Sequence, residues 1–287
     1  MKIKNIILEA MKGTATGASM LVPGVSGGTM ALLMGFYDKL LDAAGGFFKN
    51  PKKNAATLFF YAVFVGLGFL LFSNIMSLLL EIIGQPMYLF FIGTILCSIP
   101  FLIKKAGISL LKGTDFLFTI AGILFVAILS MLPEGLLNYM EASGVMKIIS
   151  LLISGLLIAV ALVLPGVSLS HMMLVLGIYE TFLGAVKGLD LKFLLPIGIF
   201  SLAGVALIVK GLDTAMKKFT KQTFMTIIGF VIASSVDIFI RNITVLPPTG
   251  IQIVYCVLAF LLGGGLTFAL SSFSDRKDSA KEVKNHG

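Results

Sequence analysis

The sequence predicts an all-α polytopic membrane protein with an inverted-topology repeat, each half a broken helical hairpin followed by three transmembrane helices. Three observations predict it. The chain has 287 residues, is 57% hydrophobic and only 13% charged, and has a mean hydropathy of +1.03; a soluble domain would carry about twice that charged fraction. Its apolar runs are as long as a bilayer-spanning helix, and the strand-length alternation of an outer-membrane barrel is absent. Finally, two polar interruptions break apolar sequence in matching places: MLVPGVSGGTMALLMGFYD at Met20–Asp38 and LVLPGVSLSHMMLVLGIYE at Leu162–Glu180.

Taken in order, the first elements are the arms of a hairpin, about Ile3–Leu21 and Thr29–Phe48. Glu9 and Lys12 fall inside what would be the apolar core of a signal peptide, so no cleavable signal is expected. Three spans follow, roughly Ala55–Leu80, Met87–Ile103 and Phe116–Leu132. The second hairpin has arms at about Ile148–Leu164 and Met172–Val186, and its spans are Phe193–Val209, Phe224–Ile240 and Ile251–Phe273. Asp237 is the one charge within the six spans. The whole chain reads as one membrane domain, with repeats at about 1–140 and 145–275 and a basic cytoplasmic tail at 276–287.

A shift of 142 residues relates the halves: Gly13 falls on Gly155, Pro23–Ser26 on Pro165–Ser168, Gly35 on Gly177, Tyr37 on Tyr179 and Asp38 on Glu180. Chance can align single glycines in so glycine-rich a chain, but P-G-V-S-x(8)-G-x-Y-[DE] occurring twice indicates an internal duplication. Lysines then set orientation. Lys2, Lys4 and Lys12, Lys49, Lys52 and Lys53, Lys104, Lys105 and Lys112, Lys210, Lys217, Lys218 and Lys221, and the basic tail all read as cytoplasmic. Glu81, the centre of the chain with Glu134 and Glu141, and Arg241 read as outside. Each half then crosses an odd number of times, which turns the second upside down. Re-entrant hairpins and hairpins that cross twice give the same charge pattern; re-entry is the preferred reading because the break is polar and the arms are minimal in length.

Unpaired backbone groups in hydrocarbon cost several kcal/mol each, so such a break needs protein or a water-filled cavity around it. Glycines allow close backbone approach, the following helix starts with free N–H groups, and small hydroxyl residues add donors. The loops therefore suit an anion, with Gly24, Ser26, Gly27, Gly28 and Thr29 in the first and Gly166, Ser168, Ser170 and His171 in the second. Carbonyls of the same loops could instead hold Na⁺ or guide a proton, and a Pro-Gly break can also be a packing kink. His171 is the one ionisable residue between Lys147 and Glu180, and its pKa range suits proton coupling as well as structure. Asp237 and Arg241 stand four apart, the spacing of a helical ion pair, with substrate coupling as the alternative. Tyr37 and Tyr179 read as hairpin locks or interfacial anchors.

Other classes are excluded or disfavoured. Net charge of +8 follows from the cytoplasmic lysines, so no nucleic-acid partner is expected. Cys97 and Cys256 read as buried small hydrophobes, neither disulfide framework nor metal site. The buried segments offer no nucleophile with a base, no paired carboxylates and no P-loop lysine, so no enzyme, cofactor, metal or direct ATP drive is expected.

GASMLVPGVSGGTMALLMGFYDKLL and LVLPGVSLSHMMLVLGIYE resemble the paired signatures of the bacterial polyprenyl-phosphate transporter family, and the resemblance covers essentially the whole chain. It implies a translocase in the cytoplasmic membrane that returns undecaprenyl phosphate, the spent lipid carrier of cell-wall synthesis, to the inner leaflet. The phosphate would bind the two loops at mid-membrane while the tail stays in lipid, with proton or sodium coupling. Ser19 stands where many members have Asn, and Leu169 and His171 replace smaller residues. A transporter of a soluble anion and a polyprenyl-pyrophosphate phosphatase are the two alternatives.

Overall fold

The long helices arrange themselves in four side-by-side pairs around two short broken segments. In the computed structural model, residues 3–20, 25–47, 49–107, 113–133, 144–188, 190–245 and 247–285 are described. Every regular element among them is helical. The first half contains α1 (Ile3–Ser19), α2 (Gly27–Leu33), α3 (Tyr37–Gly45), α4 (Pro51–Ile83), α5 (Gln85–Leu96), α6 (Ile99–Lys105) and α7 (Asp115–Ser130). The second contains α8 (Gly144–Val163), α9 (Leu169–Val175), α10 (Tyr179–Gly188), α11 (Leu191–Lys218), α12 (Thr220–Phe239) and α13 (Ile251–Asn285), with a π-helical turn at Ile240–Thr244.

Local chemistry sets these boundaries. Pro51 opens α4 at a position where its missing N–H would have had no helical partner, and Gly84 closes it with φ at +62°. The Asp190 side chain accepts from Lys192 N–H at 3.0 Å to start α11, and Lys217 and Lys218 meet the negative end of that helix. Within the expected 87–103 span the chain turns at Cys97 and Ser98, where Pro100 opens α6.

Six helical stretches are long and apolar enough to cross a membrane, at Pro51–Phe72, Gln85–Lys104, Gly144–Val163, Leu191–Lys218, Thr220–Thr244 and Ile251–Ala269. The set differs from the six expected spans in two places. Asp115–Ser130 is apolar but has only 16 residues, because Asp115 starts the helix and the chain turns after Ser130. Gly144–Val163, expected as a hairpin arm, has 20 residues and belongs with the long helices. Large apolar side chains such as Leu207 and Phe268 face outward at about 74% and 73% exposure, which only a hydrocarbon environment makes favourable.

Four helix pairs carry most of the packing: α1 along α4, α8 along α11, α5 along α13 and α7 along α12. The last two pairs cross between halves. Glycines allow the close approach, with Gly13 against Phe64, Gly17 against Val65 and Phe69, and Gly68 against Thr14. This register makes α1 parallel to α4, and α4 continues for about three turns past the level of Ser19. Gly155 against Phe200 and Gly204 against Ala159 give α8 and α11 the same parallel arrangement. The core gathers where the short helices meet these pairs, around Met30, Leu32, Phe36, Met172, Val175 and Val231.

Cys97 corrects one expectation. It is exposed, at the turn after α5, where its sulfur packs beside Gly264, whereas Cys256 is buried.

Candidate functional site

The duplicated motif is a folding unit first. Ser26 and Ser168 stand in extended conformation, φ −88° and −78°, at the N-cap positions of α2 and α9. Seven helical residues follow, and Gly35 and Gly177 end each helix with φ of +73° and +67°. The hydrogen bonds are the same in both: Gly35 N–H to Leu32 O and Phe36 N–H to Ala31 O, Gly177 N–H to Leu174 O and Ile178 N–H to Met173 O. This is the Schellman pattern, in which glycine adopts a left-handed conformation at little cost. Tyr37 and Tyr179 then begin α3 and α10, with Asp38 and Glu180 in the first turn where the helix dipole favours them. The second arm of each hairpin is therefore two short helices at an angle, where one continuous arm was expected.

The two loops meet. A side-chain carbon on Gly28 would sit 3.2 Å from Pro165 N and 3.3 Å from its Cα, so the first loop lies close against the backbone of the second there. Beside it, Gly166 N–H donates to Thr29 Oγ1 at 2.9 Å. Gly166 itself has φ +87° and backs onto the main chain at Phe230. The Tyr37 hydroxyl donates to Val163 O at 2.7 Å, joining the first hairpin to the last residue of α8. That is the locking role expected for Tyr37; Tyr179 lines a small cavity instead, of about 100 Å³, with Met20, Gly27 and Phe69.

The hydroxyls differ between loops. Ser168 Oγ accepts from His171 N–H at 3.3 Å and so caps α9. Ser26 makes no such bond; its Oγ is fully buried without a hydrogen-bond partner among the described residues, and the residue is 2% exposed. A hydroxyl desolvated in this way is an unspent donor and acceptor. Gly27 faces Met20, whose flexible side chain could yield. Gly24, with Pro23, lies outside the described residues, as does the side chain of Ser170.

The second loop has polar company. Gly166, Ser168 and His171 share a narrow space of about 10 Å³ with Ser130, Ser234 and Asp237. Asp237 is held by Arg241, Nε to Oδ1 at 2.9 Å, and Arg241 Nη2 also donates to Ser130 O at 3.0 Å. The expected ion pair is thus present, and its carboxylate also faces the second loop. Ser130 and Ser234 escaped sequence reasoning because they come from α7 and α12, with no local pattern to mark them. A second missed group ties the hairpin base to α4: Glu9 accepts from Tyr61 and pairs with Lys39 at 2.9 Å, while Tyr61 stacks on Phe36. Asp115 and Lys221 pair at 2.6 Å between the starts of α7 and α12. Among the described residues no group of three or more His, Cys, Asp or Glu gathers to hold a metal.

Comparison with known proteins bears on what these loops serve. Residues 16–249 match the family described as undecaprenyl phosphate translocase-like, a stretch that contains both loops. A polyprenyl-phosphate transporter of Vibrio cholerae serotype O1 is 32% identical over 210 residues, covering 68% of this chain and 65% of that protein, just under two thirds of its length. A polyprenyl-phosphate transporter of Staphylococcus aureus is 30% identical over 243 residues, covering 81% of this chain and 86% of that protein. No solved structure matches. Both relatives are named as transporters and neither as an enzyme, which together with six membrane-length apolar helices makes this a multi-pass membrane protein. The paired loops, the apolar helices and the match across most of the chain lead to one assignment: the chain belongs to the undecaprenyl phosphate translocase-like family.

Proposed function

We propose that this protein carries a polyprenyl phosphate, undecaprenyl phosphate in the first instance, across the cytoplasmic membrane, with the phosphate received between the two PGVS loops. One observation carries the reading. The duplicated loops touch, Gly28 against Pro165 and Thr29 against Gly166, beside a buried Ser26 hydroxyl that has no hydrogen-bond partner among the described residues. An anion entering there could take the Gly166 N–H from Thr29 and turn both hydroxyls toward itself as donors. The residues assigned to the head group are Gly24, Ser26, Gly27, Gly28 and Thr29 with Gly166, Ser168, Ser170 and His171.

The halves are read as inverted repeats, with both termini cytoplasmic. The crossed pairing of α5 with α13 and α7 with α12 supports this, since an exchange of that kind follows from a two-fold relation in the membrane plane. Re-entry of the first hairpin is supported by α1 stopping well short of the far end of α4. Turnover would recycle the lipid carrier, driven by a proton or sodium gradient. His171, next to Asp237 and Arg241, is the residue we assign to proton coupling; its imidazolium would favour a dianionic head group, so that help is present at lower pH and fades as pH rises.

The test is leaflet transfer in liposomes. Purified protein should speed the movement of labelled undecaprenyl phosphate between leaflets over protein-free vesicles. His171→Gln should flatten the pH profile of that rate. Competition by free phosphate, with no response to the lipid phosphate, would make the protein a soluble-anion transporter instead, and phosphate release from polyprenyl pyrophosphate would make it a phosphatase.

A further inference from the structure

A large apolar cavity lies beside the first hairpin and has no part in the head-group reading. It is a cleft of about 850 Å³ between the α1·α4 pair and the α5·α13 pair, floored by α2. Its wall is hydrocarbon: Ile6, Ala10, Met11, Phe64, Phe72 and Phe91 are typical of it. Three of the four hydroxyls on the wall, those of Ser19, Thr94 and Thr267 but not that of Thr14, are turned into the backbone. Ser19 Oγ donates to Thr16 O at 2.7 Å, Thr94 Oγ1 to Phe90 O at 2.9 Å and Thr267 Oγ1 to Thr94 O at 3.0 Å. A polar ligand would find little to bind.

The cleft reaches the loops. Ser19 ends α1 immediately before the first PGVS loop, and Met30, on the cleft floor, is the neighbour of Thr29. At the corresponding place in the second half, Met172 borders a space of only about 10 Å³, lined by Ser130, Ser168, His171, Ser234 and Asp237 together with apolar neighbours. The open apolar cleft lies beside the first hairpin. Its size falls in the range of sites that enclose a small molecule, roughly 300–1,000 Å³. Met11, Met30 and Met34 give it a wall that can adapt to a methyl-branched chain.

We infer that this cleft seats the first isoprene units of the polyprenyl chain while the phosphate occupies the loops, so the tail is gripped by protein where it leaves the head group. This rests on the transport reading above and goes beyond it, because a tail left in lipid would need no such cleft. The cleft then supplies chain recognition, and the loops supply phosphate recognition.

The test compares two ligands on the full chain in phosphatidylcholine nanodiscs: undecaprenyl phosphate and methyl phosphate, which has the head group and no isoprene unit. Ala15 lines the cleft and is exposed within it, so Ala15→Trp fills open space; Ala10→Phe is a second, milder variant, and Leu207→Trp on the outward face of α11 is the control. The cleft variants should weaken undecaprenyl phosphate about tenfold through lost apolar burial, with methyl phosphate changed less than about twofold and the control unchanged for both. Unchanged affinity for the long chain in both cleft variants overturns the inference, and so does equal weakening of both ligands. Displacement of undecaprenyl phosphate by excess phosphatidylglycerol would make the cleft a general acyl-chain seat and also overturn it. If the parent protein binds neither phosphate, the transport reading itself fails; if it binds both and the cleft variants are indifferent, only the cleft is lost.

Discussion

A side chain at Gly28 would press on the backbone of Pro165 at 3.2 Å, whereas one at Gly27 would meet only the flexible end of Met20. Gly66, on α4, has nothing within 4 Å of where a side chain would begin. These three glycines should therefore grade. Gly28→Val should destabilise the protein by roughly 1–3 kcal/mol through overpacking against main chain, Gly27→Val by less, and Gly66→Val by no more than about 0.5 kcal/mol. Unfolding in detergent measures the stability series, and leaflet transfer on the folded variants measures function. Transfer lost at Gly28 and kept at Gly66 is the expected pattern; equal transfer in all three would reduce the loop contact to packing. Ser26 has a buried hydroxyl with no hydrogen-bond partner among the described residues, whereas Ser168, preceded by the same Pro-Gly-Val, is spent on capping His171 N–H.

At the scale of elements, the motif that opened the sequence reading divides into two parts with different reasons. Gly35 and Gly177, Tyr37 and Tyr179, and the acids that follow build a turn between two short helices, and their spacing is that of a seven-residue helix closed by a Schellman turn. Only the residues around Ser26–Thr29 and Gly166–His171 are left for a ligand. Tyr37 adds an interaction between hairpins, its hydroxyl reaching Val163 O from a 3% exposed position. Tyr37→Phe keeps the ring packing and removes that bond, so it should cost about 0.5–1.5 kcal/mol, somewhat more because the Val163 carbonyl sits at a buried helix end. Thermal unfolding of the purified variant checks this, and no loss of stability would mean that the hairpins are held together by apolar contact alone. The repeat made the motif legible in the sequence; the angle within each arm was not, since a glycine inside an apolar helical run reads equally well as a packing position.

For the whole molecule, the decisive arrangement is the exchange of α5 and α7 for partners from the second half, α13 and α12. Long-range pairing of this kind leaves no local trace: α5 is apolar nearly all round, so its sequence does not mark which face meets α13. The topology that we draw from the lysines makes a specific expectation. In a background with Cys97 and Cys256 replaced by serine, a membrane-impermeant thiol reagent applied from outside should label a cysteine placed at Glu134 and spare one placed at Lys105. Label at both sites, or the reverse pattern, defeats the inverted arrangement. Replacing both native cysteines leaves the introduced residue as the one thiol in the chain.

Composition and repetition by themselves determined that this is a helical membrane protein, where its apolar runs lie, and which loop occurs twice. They could do so because hydropathy and the shift of 142 residues are properties of the chain, independent of how it packs. The tertiary structure alone decided that the two loops touch, that Thr29 meets Gly166, that Asp237 faces His171's loop while bound to Arg241, and that an apolar cleft of about 850 Å³ opens beside the first hairpin. Each of these is a contact, or a gap, between segments more than a hundred residues apart or on different helix pairs. Nothing in the neighbouring sequence encodes such distances; they follow from which apolar faces find one another in the folded molecule.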